Sequence, residues 1–131
     1  MKLDKRIVVA KQIPGTQIEN RRDYYYRTEP AFPVAARDVV IARYDHWNEK
    51  DAMVITFSIV HDDFPKFPKC VRAEVIVSAM IFQESEDGTE TTYKTVTQTD
   101  PAGNVPLWMV NRWGDGFVEE AKKLHKEFAK M

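Results

Sequence analysis

Three histidines (His46, His61 and His125) and the run His61-Asp62-Asp63 are the residues with which this chain could bind a metal. Their arrangement argues against it. The histidines have no ligand-like spacing to one another, and three consecutive residues on an extended chain point in different directions. No Ser-His-Asp arrangement, glycine-rich phosphate loop or pair of carboxylates stands out either, so no catalytic residue, metal or cofactor is expected. Cys70, the single cysteine, excludes an internal disulfide framework and reads as an inert small residue. Among the charged residues, Arg37 follows a proline turn and reads, with Asp38, as a fold-maintaining group that satisfies carbonyls or a carboxylate. Arg43 shares a strand face with Val39 and Ile41, as a charge at the end of an apolar wall or an arginine snorkelling to solvent. A buried charge needs a partner, and Asp23 is the carboxylate offered for Arg43. Arg72 and Glu74 lie on one strand face and are expected to pair with each other or with a neighbouring strand.

These residues must be held by one small domain. The 131 residues fit a single unit spanning 1–131. A hydrophobic fraction of 44% with 30% charged residues is that of an ordinary globular protein rather than a disordered one. The formal net charge of -1 argues against a general nucleic-acid binder. No apolar run reaches the roughly 18 residues that span a bilayer, and the charged start Met1-Lys2-Leu3-Asp4-Lys5-Arg6 is no signal peptide, so the expected location is cytoplasmic.

Periodicity predicts about six strands. Ile7-Val8-Val9-Ala10 is an apolar run closed by Pro14-Gly15, and residues 23–28 are rich in tyrosine. Residues 38–44 form a third strand, which a polar turn through Asn48–Asp51 joins to a fourth at 53–60. Pro65 and Pro68 mark a loop. A long fifth strand over 71–83 then places its apolar odd-numbered residues on one face, and the signal Glu86-Asp87-Gly88-Thr89 turns it into a threonine-rich sixth strand over 91–99. Short connections imply antiparallel neighbours. After Asp100-Pro101-Ala102-Gly103, Asn104 reads as an N-cap with Pro106 in the first helical turn. Trp113, Phe117, Ala121, Leu124 and Phe128 form one helical stripe, which Gly114 and Gly116 could kink. The fold class is α+β: an antiparallel sheet around a long C-terminal helix.

Three blocks along this pattern resemble the START (steroidogenic acute regulatory protein-related lipid transfer) domain family. Tyr24-Tyr25-Tyr26, Phe32-Pro33 and Arg37-Asp38-Val39-Val40 are similar to the family's strand, proline turn and Arg-Asp strand. The run from Phe57 to Pro65 (Phe-Ser-Ile-Val-His-Asp-Asp-Phe-Pro), with Cys70-Val71-Arg72-Ala73-Glu74, is similar to its ceramide-transfer branch. Asp100-Pro101-Ala102-Gly103-Asn104-Val105-Pro106 resembles the opening of its C-terminal helix. The match covers the later two-thirds of such a domain, so the expectation is a helix-grip fold lacking the family's N-terminal portion.

The resemblance implies non-enzymatic binding, and transfer between membranes, of a phospholipid, sphingolipid or sterol, with transient membrane contact. The ceramide branch's head-group positions fall on Tyr26, Thr56 and Thr95, where the family carries Gln, Asn and Tyr; without the amides, ceramide selectivity is not implied. Arg43, six positions after Arg37, matches the steroid branch's cavity arginine. Because the family's C-terminal helix serves as a lid, Trp108, Met109 and Trp113 are the candidate lid residues, with core packing as the alternative. A sheet edge left open by the missing strands implies a homo-oligomer or a segment swap. The competing reading is an interaction module that no longer carries lipid.

Overall fold

The computed structural model describes residues 7–30 and 33–130, the side chains of residues 113, 114 and 117 excepted. Phe32 of the first block, and the Trp113 and Phe117 side chains of the helical stripe, therefore lie outside the described residues. Seven strands and one helix follow in order: β1 (Ile7–Ile13), β2 (Arg21–Thr28), β3 (Arg37–Trp47), β4 (Asp51–Ser58), β5 (Val71–Arg72), β6 (Glu74–Glu84), β7 (Thr91–Asp100) and α1 (Leu107–Phe128). The sheet runs β1-β2-β3-β4-β6-β7, every neighbouring pair antiparallel. It is the curved sheet with a C-terminal helix expected of a helix-grip fold, in partial form.

Short polar turns set the register. Asn48 Oδ1 accepts the N–H groups of Lys50 and Asp51 at 2.9 and 2.8 Å, which closes the β3–β4 hairpin. Between β6 and β7, Gly88 takes a left-handed φ of 71°. There Asp87 Oδ1 accepts the Ser85 hydroxyl at 2.6 Å and both the N–H and hydroxyl of Thr89. These donors hold the exposed Asp87 carboxyl at a pKa of about 2.

The fifth strand of the sheet path is where the pattern misleads. Residues 71–83 are not one strand. β4 stops pairing with β3 at Ile41, which leaves the first residues of β3 with an open edge. The chain returns through residues 59–70, and β5 fills that edge in parallel, Val71 opposite Arg37 and Arg72 opposite Asp38. It then crosses at Ala73 into β6, where the Val75 N–H donates to the Ser58 hydroxyl at 2.8 Å. A register shift between Val75 and Val77 moves those two residues to opposite faces, so the odd-numbered apolar row does not continue unbroken.

Elsewhere strict alternation sorts side chains onto two faces. One face carries Tyr25, Val40, Ala42, Tyr44, Ile55 and Phe57, the other Tyr24, Tyr26, Ile41, Arg43, Val54 and Thr56. The buried core belongs to the first: Ile13, Tyr25 and Val40, with Val9, Ile59 and Phe64 packed against them. The Tyr25 and Phe64 rings stack at 4.7 Å.

α1 departs from expectation in three ways. Its N-cap position is Pro106, with no side-chain cap, because the extended Pro106 (ψ 137°) breaks the path from Asn104 into the first turn. It runs unbroken through Gly114 and Gly116. Ala121 and Leu124 are half-buried, but Phe128 is 58% exposed, so the predicted stripe is not covered to its end.

Candidate functional site

The three blocks singled out in the sequence meet at one end of β3. Asp38, 2% exposed, accepts a two-point contact from the Arg72 guanidinium at 2.7 and 3.0 Å and the Tyr25 hydroxyl at 3.0 Å. Arg72 also donates to the carbonyls of Phe64 and Pro65. Burial and the Asp38 carboxylate push the Tyr25 hydroxyl up to about 12. Bonding to Asp38 likewise raises Arg72, which stays cationic. Arg72 therefore pairs with Asp38 and not with Glu74. The break at Ala73 sends β5 to β3, and Glu74 instead stands opposite Asp100 on β7.

Arg37, on the opposite face of β3, holds the entrance to the helix. It donates to the carbonyls of Ala35, Pro101 and Ala102 at 2.6, 3.2 and 2.8 Å. The Asp-Pro-Ala-Gly turn is built to present those carbonyls. Asp100 accepts the Ala102 N–H at 2.9 Å, and Ala102 and Gly103 both take left-handed φ values, 53° and 63°. A Cβ on Gly103 would lie 3.0 Å from Arg37 Nη2 and 3.4 Å from Val71 Cγ1, so the Arg37 guanidinium would have to give by a few tenths of an ångström to admit one.

The face that carries Arg37 also carries Tyr26, Arg43, Thr56 and Thr95. Arg43 stands opposite Thr56, Thr56 opposite Ser78, and Ser78 opposite Thr97. At strand spacing this polar row runs about 14 Å across four strands. Val39, Ile41 and Tyr26 lie toward one end of it; Val54, Met80, Phe82 and Tyr93 flank the other side. The Tyr24 and Tyr26 rings stack at 5.8 Å, the Phe82 and Tyr93 rings meet tilted at 4.9 Å, and partial burial raises the Tyr26 hydroxyl. Tyr26 and Thr56 are half-buried, whereas Thr95 is exposed. Ser78 and Thr97 escape a residue-by-residue reading, because only strand register shows that they continue the row from Thr56.

Arg43 does not pair with Asp23. Its Nε donates to Asp45 at 3.0 Å, while Asp23 is held by Arg21 at 2.8 and 3.0 Å. The reason is the strand period: Asp23 stands opposite Ala42, so it faces away from Arg43. Of the lid candidates, Trp108 is 58% exposed, outside any core, and Met109 is half-buried. The Trp113 side chain is outside the described residues.

Two surface hollows lie elsewhere. One, of about 290 Å³, is lined by Glu19, Asn20, Arg21, Arg22, Asp45 and Trp47. The other, of about 760 Å³, lies between the ends of β1 and β2 and the loop before β5, where it meets Phe67 and Cys70. Burial and the nearby Asp38 raise the Cys70 thiol, which makes it a poor nucleophile at neutral pH. Among the described residues, no group of three His, Cys, Asp or Glu could hold a metal ion, and no helix is long and apolar enough to cross a membrane.

Comparison with known proteins adds four findings. The family model described as START domain matches residues 13–130. The human START domain-containing protein 10 is 29% identical over 104 residues, which are 78% of this chain and 35% of that protein. The crystal structure of human STARD10 superposes with a TM-score of 0.77 at 24% identity, covering 92% of this chain and 48% of that one. Human StAR-related lipid transfer protein 5 superposes with a TM-score of 0.68 at 18% identity, over 84% of this chain and 53% of that one. The structural likenesses show the fold; the chain spans about a third of the curated relative's length.

Proposed function

Because this chain belongs to the START domain family, we propose that it binds one hydrophobic lipid, without catalysis, between the Arg43 face of the sheet and α1. The observation that carries this reading is the polar row Arg43–Thr56–Ser78–Thr97 set among apolar and aromatic side chains on one face. Lipid sites have this composition: apolar walls supply affinity, at about 0.8 kcal/mol per buried methylene. A few polar groups select the head group, since an unpaired buried polar atom costs about 1–3 kcal/mol. Arg43 is the head-group cation, with Asp45 holding its orientation, and Tyr26, Thr56 and Thr95 supply hydroxyls. Arg37, Asp38 and Arg72 hold the fold in shape around them.

The anchoring of the pre-helix turn by Arg37, on this same face, supports a hinge there. Transient opening of α1 during membrane contact would admit the lipid, with Trp108, Met109 and Trp113 on the moving element. The whole chain acts as one lipid-binding unit in the cytoplasm, and the lipid is a phospholipid, sphingolipid or sterol. Native mass spectrometry with lipid identification tests the reading. A one-to-one lipid adduct is expected on protein purified or incubated with mixed vesicles. Folded protein that neither carries nor takes up any of the three lipid classes would refute it. A second reading, an interaction module that carries no lipid, draws on the exposure of β7.

A further inference from the structure

Among the described residues β7 ends the sheet, and of its ten residues only Tyr93 is half-buried; the rest are exposed. Its free edge can be assigned. The Ser85 N–H donates to the Glu90 carbonyl, so antiparallel alternation gives residues 92, 94, 96 and 98 the bonds to β6. The backbone N–H and C=O groups of Thr91, Tyr93, Thr95, Thr97 and Thr99 therefore point outward from the sheet. Such an edge is a template for another strand unless something blunts it. The β1 edge carries a register shift between Ile7 and Val9, but β7 has no proline, and the bulge opposite it lies in β6.

The edge also complements itself. Lys94 and Asp100 are the only two charged residues of β7, of opposite sign, on one face and six positions apart. In an antiparallel pair related by a two-fold axis normal to the sheet, residues at equal distances from the axis stand opposite each other. An axis through Thr97 sets Lys94 opposite the partner's Asp100 and Asp100 opposite the partner's Lys94. It also brings the outward groups of Thr95, Thr97 and Thr99 into bonding pairs. An axis through Val96 or Thr95 would instead leave Lys94 facing Gln98 or Val96. The chain's net charge of -1 opposes self-association little. We propose that β7 pairs antiparallel with β7 of a second copy of this chain, about a two-fold axis through Thr97, so that one sheet runs through both copies. The two Arg43 faces then lie on the same side of that sheet. The pairing rests on the edge alone and stands whether or not the lipid reading does.

Sedimentation velocity of the 131-residue chain, over a micromolar-to-millimolar series, tests it. A monomer–dimer equilibrium is expected, and Lys94→Glu, which faces the partner's Asp100, should weaken it at least about tenfold. In a Cys70→Ser background, Thr97→Cys should form a disulfide dimer on mild oxidation, since residues opposite each other in a bonded pair lie about 5.5 Å apart at Cα. Thr95→Cys should not, because its two copies would be offset by about four residues, roughly 13 Å. A chain monomeric throughout the series overturns the proposal. So does a dimer indifferent to Lys94→Glu, or one that cross-links through Thr95→Cys and not through Thr97→Cys.

Discussion

Replacing Asp38 by alanine removes the acceptor on which two buried groups depend. Arg72 would lose both short contacts and keep only the carbonyls of Phe64 and Pro65; the Tyr25 hydroxyl, on a residue 4% exposed, would lose its carboxylate. Breaking a buried ion pair by removing one partner costs about 3–5 kcal/mol. The Arg72 side chain is still 16% exposed, which places the pair at the lower end. With about 1 kcal/mol more for the orphaned hydroxyl, Asp38→Ala should cost about 4 kcal/mol. Against a total stability of roughly 5–15 kcal/mol, that loss lowers the urea midpoint by about 1–4 M. Two milder variants set the scale. Asp38→Asn keeps the volume and an acceptor for Tyr25 and should cost about 2 kcal/mol; Tyr25→Phe leaves the ion pair and should cost about 1 kcal/mol. Equilibrium urea unfolding, followed by tryptophan fluorescence and far-ultraviolet dichroism together, measures all three. The reasoning is refuted if Asp38→Ala costs under about 1 kcal/mol, or no more than Tyr25→Phe.

Gly103→Ala should cost about 1–2 kcal/mol, from the left-handed backbone and the 3.0 Å approach to Arg37. Hydrogen exchange in the first turn of α1 should quicken with it, and unchanged exchange there would deny that this turn anchors the helix. The Tyr25 hydroxyl gives a pH signature. Its pKa is raised from 10.0 to about 12 in the folded chain, so the stability it contributes is complete below pH 10 and lost as pH rises through 12. That loss amounts to roughly 2–3 kcal/mol. It should show as the difference in urea midpoint between the natural chain and Tyr25→Phe falling over that window and changing sign, because the loss exceeds the roughly 1 kcal/mol that Tyr25→Phe costs below it; a constant difference would contradict it.

What the sequence reveals, and what it hides, follows from the range of each signal. Alternation along one strand is local, so the split of Arg43 and Thr56 from Tyr25 and Phe57 is visible in residue order. The motif Asp100-Pro101-Ala102-Gly103 is equally local, and its proline and glycine announce the turn. Partner choice is not local. Asp23 lies close to the Arg43 strand but faces the other way, and the two-residue β5 has no period by which to be seen. The apolar run over 71–83 therefore reads as one strand, and Arg72 is offered either Glu74 or a neighbouring strand, of which the structure takes the second through Asp38 on β3. Asn104 fails as a cap for a related reason: a good capping residue is overruled by the extended Pro106 two positions later. Ser78 and Thr97 join the candidate site only through pairing across β4, β6 and β7, which periodicity within any one of these strands does not encode.

Lipid carrying a photoactivatable diazirine on its acyl chain offers the most direct test of which face holds the ligand. After irradiation and digestion, adducts should fall on Arg43-face residues, chiefly Tyr26, Val39, Ile41, Val54 and Met80, and on the helical segment 107–128. Adducts confined to Tyr44, Ile55 and Phe57, on the opposite face, would contradict the account.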